Sequence, residues 1–308
     1  MPQSWWENQV KIMQNPTRKV GTMLKKGLFP FSVLLSCAIA YSSEALSKSS
    51  PANLTVVSNA ENLLAQPMSV NYPPANGAIE QSPPPLRAIA QIQYLTQITT
   101  VRIIASKASG SGVIVHQTGQ IYTVLTNWHV VSFSDRFSIL TPDGQQYQLT
   151  QPPQRLGNTD MAILKFQSNL PYKIAPITQQ PISVGEPVFA SGFPMYYQGT
   201  LVPTFDEGIE AFRFTQGKVS LLPPKAFSQG YRLGYTNDIE VGMSGGPIFN
   251  LQGQLIGING RTKYRDPDFG VYEFEDGTEP SAAMLDRMVA SSWGIPITTY
   301  LNFVSAGN

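Results

Sequence analysis

Cysteine is almost absent from this sequence, since Cys37 is the only one among 308 residues. A single cysteine excludes an intramolecular disulfide, so an exported form of the chain has to fold without that cross-link. Charge is also sparse: Asp, Glu, Lys and Arg make up 13% of the residues, and the formal net charge is +1. Because there is no basic excess, nucleic acid is not an expected partner.

Histidine and aspartate are scarce in a way that limits the chemistry open to Ser244, which lies in the glycine-rich stretch VGMSGGPIFN. The chain has only His116 and His129, and no aspartate precedes Asp135. The α/β-hydrolase order is excluded because its histidine follows the serine, and the subtilisin order is excluded because its aspartate precedes the histidine. A nucleophilic Ser244 therefore requires the order His, Asp, Ser. The alternative is a serine in a turn that Gly and Pro favour for backbone reasons.

The local sequence context reduces the number of histidines and aspartates that could act with such a serine. His116 ends a strand pattern and is interpreted as a solvated residue, whereas His129 follows the apolar strand of VLTNWHVV. Five aspartates separate His129 from Ser244: Asp135, Asp143, Asp160, Asp206 and Asp238. Asp160 directly precedes the apolar strand MAILKF, where a carboxylate can be held firmly and partly desolvated. The simpler alternatives are a turn residue at position 160 and a partly buried core residue at position 129.

The N-terminal 45 residues have the layout of a secretory signal peptide. Lys25 and Lys26 precede a mostly apolar stretch at 28–40, and small-residue patterns predict cleavage after Ala40 or Ala45. The apolar stretch is too short for a stable membrane span.

Two alternatives concern the same region. Translation starts at Met1 or at Met23, and the second start would shorten an unusually long basic region. The letters LLSC, which end at Cys37, also allow a lipoprotein, although the apolar run continues past the cysteine.

Residues 46–95 are rich in Pro, Ser and Asn and are predicted to be a linker. From residue 96 onward, short β-rich segments alternate with Gly, Pro, Asn and Asp, which predicts an all-β barrel or sandwich. Among these segments, 280–291 and the extreme C-terminus are the helical candidates.

Three segments taken together, TNWHVV, NTDMAILKF and GMSGGPIFN, resemble the signature segments of the chymotrypsin-like (trypsin-like) serine peptidases. The similarity is to their bacterial, disulfide-free branch, which includes the HtrA and DegP catalytic domains. It covers about residues 96–304 and implies two antiparallel six-stranded β-barrels, at about 96–175 and 176–304. The active site is then expected in the cleft between the barrels, with a short helix at the C-terminus.

The resemblance also implies roles for individual residues. Ser244 would be the nucleophile, His129 the general base and Asp160 the residue that orients the imidazole. The backbone N–H groups of Gly242 and Ser244 would form the oxyanion hole. Ser292-Trp293-Gly294 resembles a strand whose serine supports the aspartate and whose backbone pairs with substrate. For Trp293, simple core packing is an equal alternative.

Several features depart from the pancreatic members of this family. Met243 occupies the position of the aspartate that pairs with a newly cut N-terminus, so activity is not expected to require cleavage near the domain start. The chain ends at Asn308, and no C-terminal PDZ domain is expected. The polar insertion at 261–280 either lines the cleft or is a surface excursion.

Asp238 lies six residues before Ser244, the offset at which trypsins hold an acid at the base of the S1 pocket. This match predicts a preference for Arg or Lys at P1, against the alternative of a solvated loop aspartate.

The sequence thus predicts an exported serine endopeptidase, periplasmic or secreted, that acts on protein or peptide substrates. No cofactor and no metal is expected, and the oligomeric state is not indicated. The competing prediction is a catalytically silent peptide-binding module on the same fold. Lipidation at Cys37 would change the location rather than the chemistry.

Overall fold

The computed structural model describes residues 86–105, 108–134, 136–267 and 270–306. The predicted signal peptide, Cys37 and residues 46–85 of the predicted linker lie outside the described residues. Within the described part of the chain, no helix is both long and apolar enough to span a membrane.

A helix precedes the first strand and corrects the C-terminal end of the predicted linker. Helix α1 spans Leu86–Thr99, so residues 86–95 are helical. Its apolar residues Ile89, Ile92 and Leu95 recur every third position and pack against the hydrophobic core. This burial stabilises a segment whose composition favours a linker, because helix stability in proteins comes mainly from packing.

The N-terminal sheet has seven antiparallel strands, in the spatial order β5-β4-β1-β2-β3-β7-β6. A one-turn helix, α2 (Trp128–Val131), follows β3. The strands are β1 (Thr100–Ala105), β2 (Ser109–Thr118), β3 (Ile121–Thr126), β4 (Phe137–Leu140), β5 (Gln146–Gln148), β6 (Gln154–Arg155) and β7 (Ala162–Gln167).

This sheet differs from the predicted closed six-stranded barrel. Its edge strands are three and two residues long and do not pair with each other. A single bridge between Leu149 and Phe166 joins the β5 end of the sheet to β7. The result is a half-barrel, because edge strands this short leave too few backbone groups for a complete seam.

The C-terminal sheet is a closed six-stranded barrel, as predicted, with the order β10-β13-β12-β11-β8-β9. Helix α3 (Ala282–Val289) precedes its last strand, and helix α4 (Thr298–Ala306) follows it. The strands are β8 (Pro187–Gly192), β9 (Arg213–Leu221), β10 (Leu233–Tyr235), β11 (Pro247–Asn250), β12 (Leu255–Arg261) and β13 (Ser292–Pro296). The predicted all-β class and chymotrypsin-like two-barrel architecture are thereby confirmed.

The insertion at 261–280 contributes to the core. Val271, Tyr272 and Phe274 are buried in the same hydrophobic cluster as Phe227 and Trp293. A bridge between Phe227 and Phe274 attaches the insertion to the chain ahead of β10. The insertion is therefore partly a structural element, and the surface-excursion alternative describes only its polar positions.

Candidate active site

His129 and Asp160 meet because β3 and β7 are antiparallel neighbours. Thr126, at the end of β3, pairs with Ala162, at the start of β7. The residues just after β3 therefore lie beside the residues just before β7. The backbone N–H of Trp128 donates to the Asp160 carbonyl at 3.2 Å, which fastens the two chain segments together.

The carboxylate of Asp160 accepts hydrogen bonds at both of its oxygens. The Nδ1–H of His129 donates to Oδ2 at 2.6 Å, and the backbone N–H of His129 donates to Oδ1 at 2.7 Å. The hydroxyl of Tyr231 donates to Oδ2 as well. The Asp160 side chain is 3% exposed, whereas that of His129 is 31% exposed. This geometry holds the imidazole in one orientation, with its Nδ1 protonated.

Asp160 is ionised despite its burial. Burial on its own would raise the pKa of Asp160, but the charge of His129 and the hydrogen bonds from His129 and Tyr231 outweigh it. The pKa of Asp160 therefore lies below its usual value. A charged carboxylate in this position stabilises a positive charge on the neighbouring imidazole.

Ser244 lies on a loop that is hydrogen-bonded to strands of both sheets. Its carbonyl accepts the N–H of Ser111 in β2 at 2.9 Å, and the next residue, Gly245, donates to Asn259 in β12 at 2.9 Å. A Cβ at position 245 would lie 3.0 Å from the backbone nitrogen of Asn127, two residues before His129. The Ser244 hydroxyl faces the carbonyl of Gly260, at an Oγ–O distance of 3.4 Å.

The turn at Gly242 has a conformation that requires glycine. Its φ is +98°, and a Cβ there would lie 2.6 Å from the carbonyl oxygen of Phe193. The carbonyl of Gly242 accepts the hydroxyl of Ser111 at 2.8 Å, and the N–H of Phe193 donates to that same hydroxyl at 2.8 Å. Among hydrogen bonds between described residues, the N–H groups of Gly242 and Ser244 have no protein acceptor.

His116 and two other aspartates that the structure describes, Asp143 and Asp206, have other contacts or positions. His116 is exposed on β2, with its ring 3.1 Å from the Thr118 hydroxyl. Asp143 accepts a hydrogen bond from Thr141 in the turn after β4. Asp206 belongs to the 3₁₀ turn Phe205–Glu207. Asp135 lies outside the described residues.

The predicted role of Ser292-Trp293-Gly294 is not supported by the structure. The hydroxyl of Ser292 donates to the Asn237 carbonyl at 2.7 Å and not to Asp160. Strand β13 pairs with β10 on one side and with β12 on the other. Both edges of the backbone at Trp293 and Gly294 are therefore already paired with neighbouring strands. Trp293 is fully buried with its ring centroid 4.5 Å from that of Phe227, which is the core-packing alternative.

The predicted placement of Asp238 at the base of a water-excluding S1 pocket is also wrong. Its side chain is 85% exposed and forms an ion pair with Lys263, with an Oδ1–Nζ distance of 2.7 Å. An exposed carboxylate that already has a cationic partner offers little discrimination between charged and uncharged side chains. Asp238 is the solvated loop residue that was the alternative.

Sequence reasoning missed Tyr231 and Arg102. Tyr231 carries no local signal, because it is one of several aromatic residues in the β-rich part of the chain. Arg102 does carry one, since it is the single charged residue in the apolar strand TVRIIA. Its guanidinium is fully buried and bonds to the loop that packs against Gly242. Within the described residues, no cluster of three or more His, Cys, Asp or Glu could hold a metal ion.

Comparisons of the sequence with known proteins point to a similar domain. Residues 110–258 match the model of the trypsin-like peptidase domain. Serine protease Do-like HtrA of Lactococcus lactis subsp. cremoris is 31% identical over 153 residues, which is 49% of this chain and 36% of that protein. The Probable periplasmic serine endoprotease DegP-like of Pseudomonas fulva is 28% identical over 192 residues, which is 60% of this chain and 36% of that protein.

Each alignment covers only part of the relative, so the chain matches about a third of the length of these curated relatives. The matched part includes His129, Asp160 and Ser244, together with the strands that hold them. Residues 110–258 are therefore similar to a trypsin-like peptidase domain, and the chain is similar in sequence to the HtrA and DegP serine proteases.

Proposed function

We propose that this chain is a serine endopeptidase in which Ser244, His129 and Asp160 act as a catalytic triad. The observation that carries the proposal is the pair of hydrogen bonds between His129 and Asp160. The carboxylate of Asp160 accepts one from the imidazole and one from the backbone N–H of His129. The loop that carries Ser244 is fixed by contacts with both sheets, and at Gly245 it passes close to the backbone of Asn127, two residues before His129. The family match and the HtrA and DegP relatives support the same reaction class.

In the proposed reaction, Ser244 Oγ attacks the carbonyl carbon of the scissile peptide bond while His129 Nε2 takes the hydroxyl proton. The carbonyl oxygen becomes an oxyanion that the N–H groups of Gly242 and Ser244 stabilise. The C–N bond then breaks, and the proton on Nε2 passes to the leaving amine. Water attacks the resulting ester with His129 again as the base, and this step releases the acid and restores Ser244.

Activity in this proposal does not depend on a newly cut N-terminus. Met243 is fully buried in the core of the C-terminal barrel, and its sulfur faces the backbone N–H of Glu240 at 3.4 Å. A thioether cannot form an ion pair with an ammonium group. The turn at Gly242 is instead supported by Ser111 and by the backbone N–H of Met195, which donates to Val241 at 2.7 Å.

Export is part of the same proposal. The signal-like layout of the first 45 residues supports a periplasmic or secreted location. The name of the Pseudomonas fulva relative describes that protein as periplasmic. The proposed substrates are proteins or peptides.

Labelling with a fluorophosphonate tests the proposal, because the reagent reports the nucleophile, the base and the oxyanion hole together. We expect the wild-type chain to be labelled at Ser244 and to hydrolyse casein, and we expect Ser244→Ala and His129→Ala to lose both activities. His116→Ala and Asp143→Asn are matched controls that keep both. A wild-type chain that folds, binds peptides and takes no label would instead favour the silent peptide-binding module.

A further inference from the structure

Asp160 has a third hydrogen-bond donor that the proposed mechanism does not use. The hydroxyl of Tyr231 donates to Oδ2, the same oxygen that accepts the Nδ1–H of His129. Tyr231 is 1% exposed. Burial and the charge of Asp160 raise the pKa of Tyr231 well above its usual value, so the phenol keeps its proton and acts as a donor.

The phenol of Tyr231 occupies space that only a glycine at position 260 leaves open. A Cβ on Gly260 would lie 2.5 Å from the Tyr231 hydroxyl oxygen and 2.8 Å from its Cζ. Both distances are shorter than Cβ atoms in proteins tolerate. A side chain at position 260 and a tyrosine at position 231 therefore cannot both be accommodated. Gly260 is also the residue whose carbonyl faces the Ser244 hydroxyl.

The ring of Tyr231 also contacts Arg261. The guanidinium carbon of Arg261 lies 4.0 Å from the ring centroid, which is a close cation–π contact. Arg261 is itself 7% exposed and donates to the carbonyls of Val271 and Ser228. The partly buried insertion at 261–280 thus anchors Arg261, and Arg261 anchors the tyrosine.

We propose that Tyr231 is a positioning residue that orients Asp160 toward His129, and that Gly260 is required because it makes room for the phenol. This inference rests on the proposed triad. A buried carboxylate needs its oxygens satisfied, and three donors fix its rotation more tightly than two. The tyrosine acts through Asp160 and has no direct role in the bond-making steps.

Tyr231→Phe tests this role while keeping the packed ring. We expect kcat to fall about tenfold with KM unchanged, the loss typical of one hydrogen bond to a charged group. The acid limb of the kcat/KM profile should move to higher pH by about half to one unit, because Asp160 loses a hydrogen bond that stabilises its charge and its carboxylate then holds the proton on the neighbouring general base more tightly. Tyr122→Phe is the matched control: it removes a buried hydroxyl that donates to Leu170 at 3.1 Å, away from the site.

A second readout needs no activity. In the Ser244→Ala background, the NMR resonance of the His129 Nδ1 proton reports its hydrogen bond to Asp160. We expect Tyr231→Phe to shift this resonance and Tyr122→Phe to leave it in place. An unchanged resonance together with an unchanged acid limb would overturn the positioning role. Failure of the wild type to label with fluorophosphonate would contradict the proposed triad, and the resonance would still report on Tyr231.

Substitutions at both Tyr231 and Gly260 test the requirement for glycine at position 260. We expect Gly260→Ser alone to lose activity, because its Cβ meets the phenol. Tyr231→Ala empties that space. The Cβ of a serine at position 260 would then lie 2.5 Å from where the phenol oxygen was, so its hydroxyl could replace the phenol as a donor to Asp160. The double variant Tyr231→Ala/Gly260→Ser should therefore be more active than either single variant. A double variant no better than Tyr231→Ala would contradict the exchange, and if the alanine variants fail to fold, the Tyr231→Phe measurements decide.

Discussion

At the scale of single residues, two glycines with positive φ differ in what surrounds them. Gly242 has a φ of +98°, and the backbone of Phe193 and Met195 crowds the place where a Cβ would stand. Gly144 has a φ of +80° in the turn after β4, and nothing lies within 4 Å of its Cβ position. Both positions favour glycine for conformational reasons, but only Gly242 also requires the space.

Gly242→Ala is expected to lower kcat about 10²- to 10³-fold, the typical effect of losing one oxyanion donor. The added Cβ pushes against the carbonyl of Phe193 and re-aims the N–H of residue 242. Gly144→Ala is the control, and it should lower the free energy of unfolding by about 1 kcal/mol and leave kcat unchanged. Steady-state kinetics and urea unfolding measure the two effects. Equal kcat values in the two variants would argue against an oxyanion hole at Gly242.

At the scale of secondary-structure elements, Arg102 connects the N-terminal sheet to the loop between β8 and β9. Its guanidinium donates to the carbonyls of Thr204 at 2.9 Å and Gly208 at 2.8 Å. The N–H of Thr204 donates in turn to the carbonyl of Met195, whose own N–H donates to Val241. A strand of the first sheet thereby supports the turn that carries Gly242, across a chain of four hydrogen-bonded residues.

Arg102 also keeps its charge in an unusual setting. Burial lowers the pKa of Arg102, but a guanidinium titrates far above physiological pH and remains protonated. The centroids of the aromatic rings of Phe193 and Phe205 lie 5.9 Å and 5.7 Å from the guanidinium carbon. Carbonyl acceptors and ring faces together compensate for the loss of water.

We expect Arg102→Met to destabilise the fold by about 3 kcal/mol, because the carbonyl of Gly208 loses its donor, and the carbonyl and hydroxyl of Thr204 each lose a hydrogen bond from the guanidinium. Among the molecules that remain folded, kcat should fall more than KM rises, since the loop under Gly242 loses its support. Ser109→Ala removes only the acceptor of the Arg102 Nε–H, and it should cost about 1 kcal/mol with kcat retained. Thermal unfolding and kinetics check both variants. A folded Arg102→Met enzyme with normal kcat would show that the loop is held by other contacts.

At the scale of the whole molecule, the site lies where two separately hydrogen-bonded sheets meet. His129 and Asp160 come from the N-terminal sheet, whereas Gly242, Ser244 and Gly260 come from the C-terminal barrel. The serine hydroxyl of Ser111 and the guanidinium of Arg102 join the two sheets near the nucleophile. Stability of the interface between the sheets is therefore a condition of the proposed activity.

Processing of the N-terminus is the prediction that concerns the complete chain. We expect the exported protein to begin after Ala40 or Ala45, as N-terminal sequencing would show. Cys37→Ser should leave the mature N-terminus and the location unchanged, because that residue is removed with the signal peptide. A mature chain that starts at a lipidated Cys37 would establish the lipoprotein alternative. An uncleaved chain in the cytosol would contradict export.

The order of His, Asp and Ser along the chain, the all-β class and the need for glycine near Ser244 could all be predicted from the sequence. Each depends on local information: strand patterns, the few histidines, and turn residues. His129 and Asp160 could be singled out because each borders an apolar strand. The predicted end of the linker at residue 95 also depended on local information. The composition near residue 90 does not reveal that α1 packs on the core.

Contacts between distant segments were decided by the tertiary structure alone. The bond from Tyr231 to Asp160 spans 71 positions, and nothing in the residues around Tyr231 indicates it. The pairing of β13 on both edges follows from the strand order of the barrel, which no local pattern encodes. The exposure of Asp238 depends likewise on which segment lies above its loop. Local sequence determines which elements form, whereas burial and strand edges are properties of how those elements are arranged.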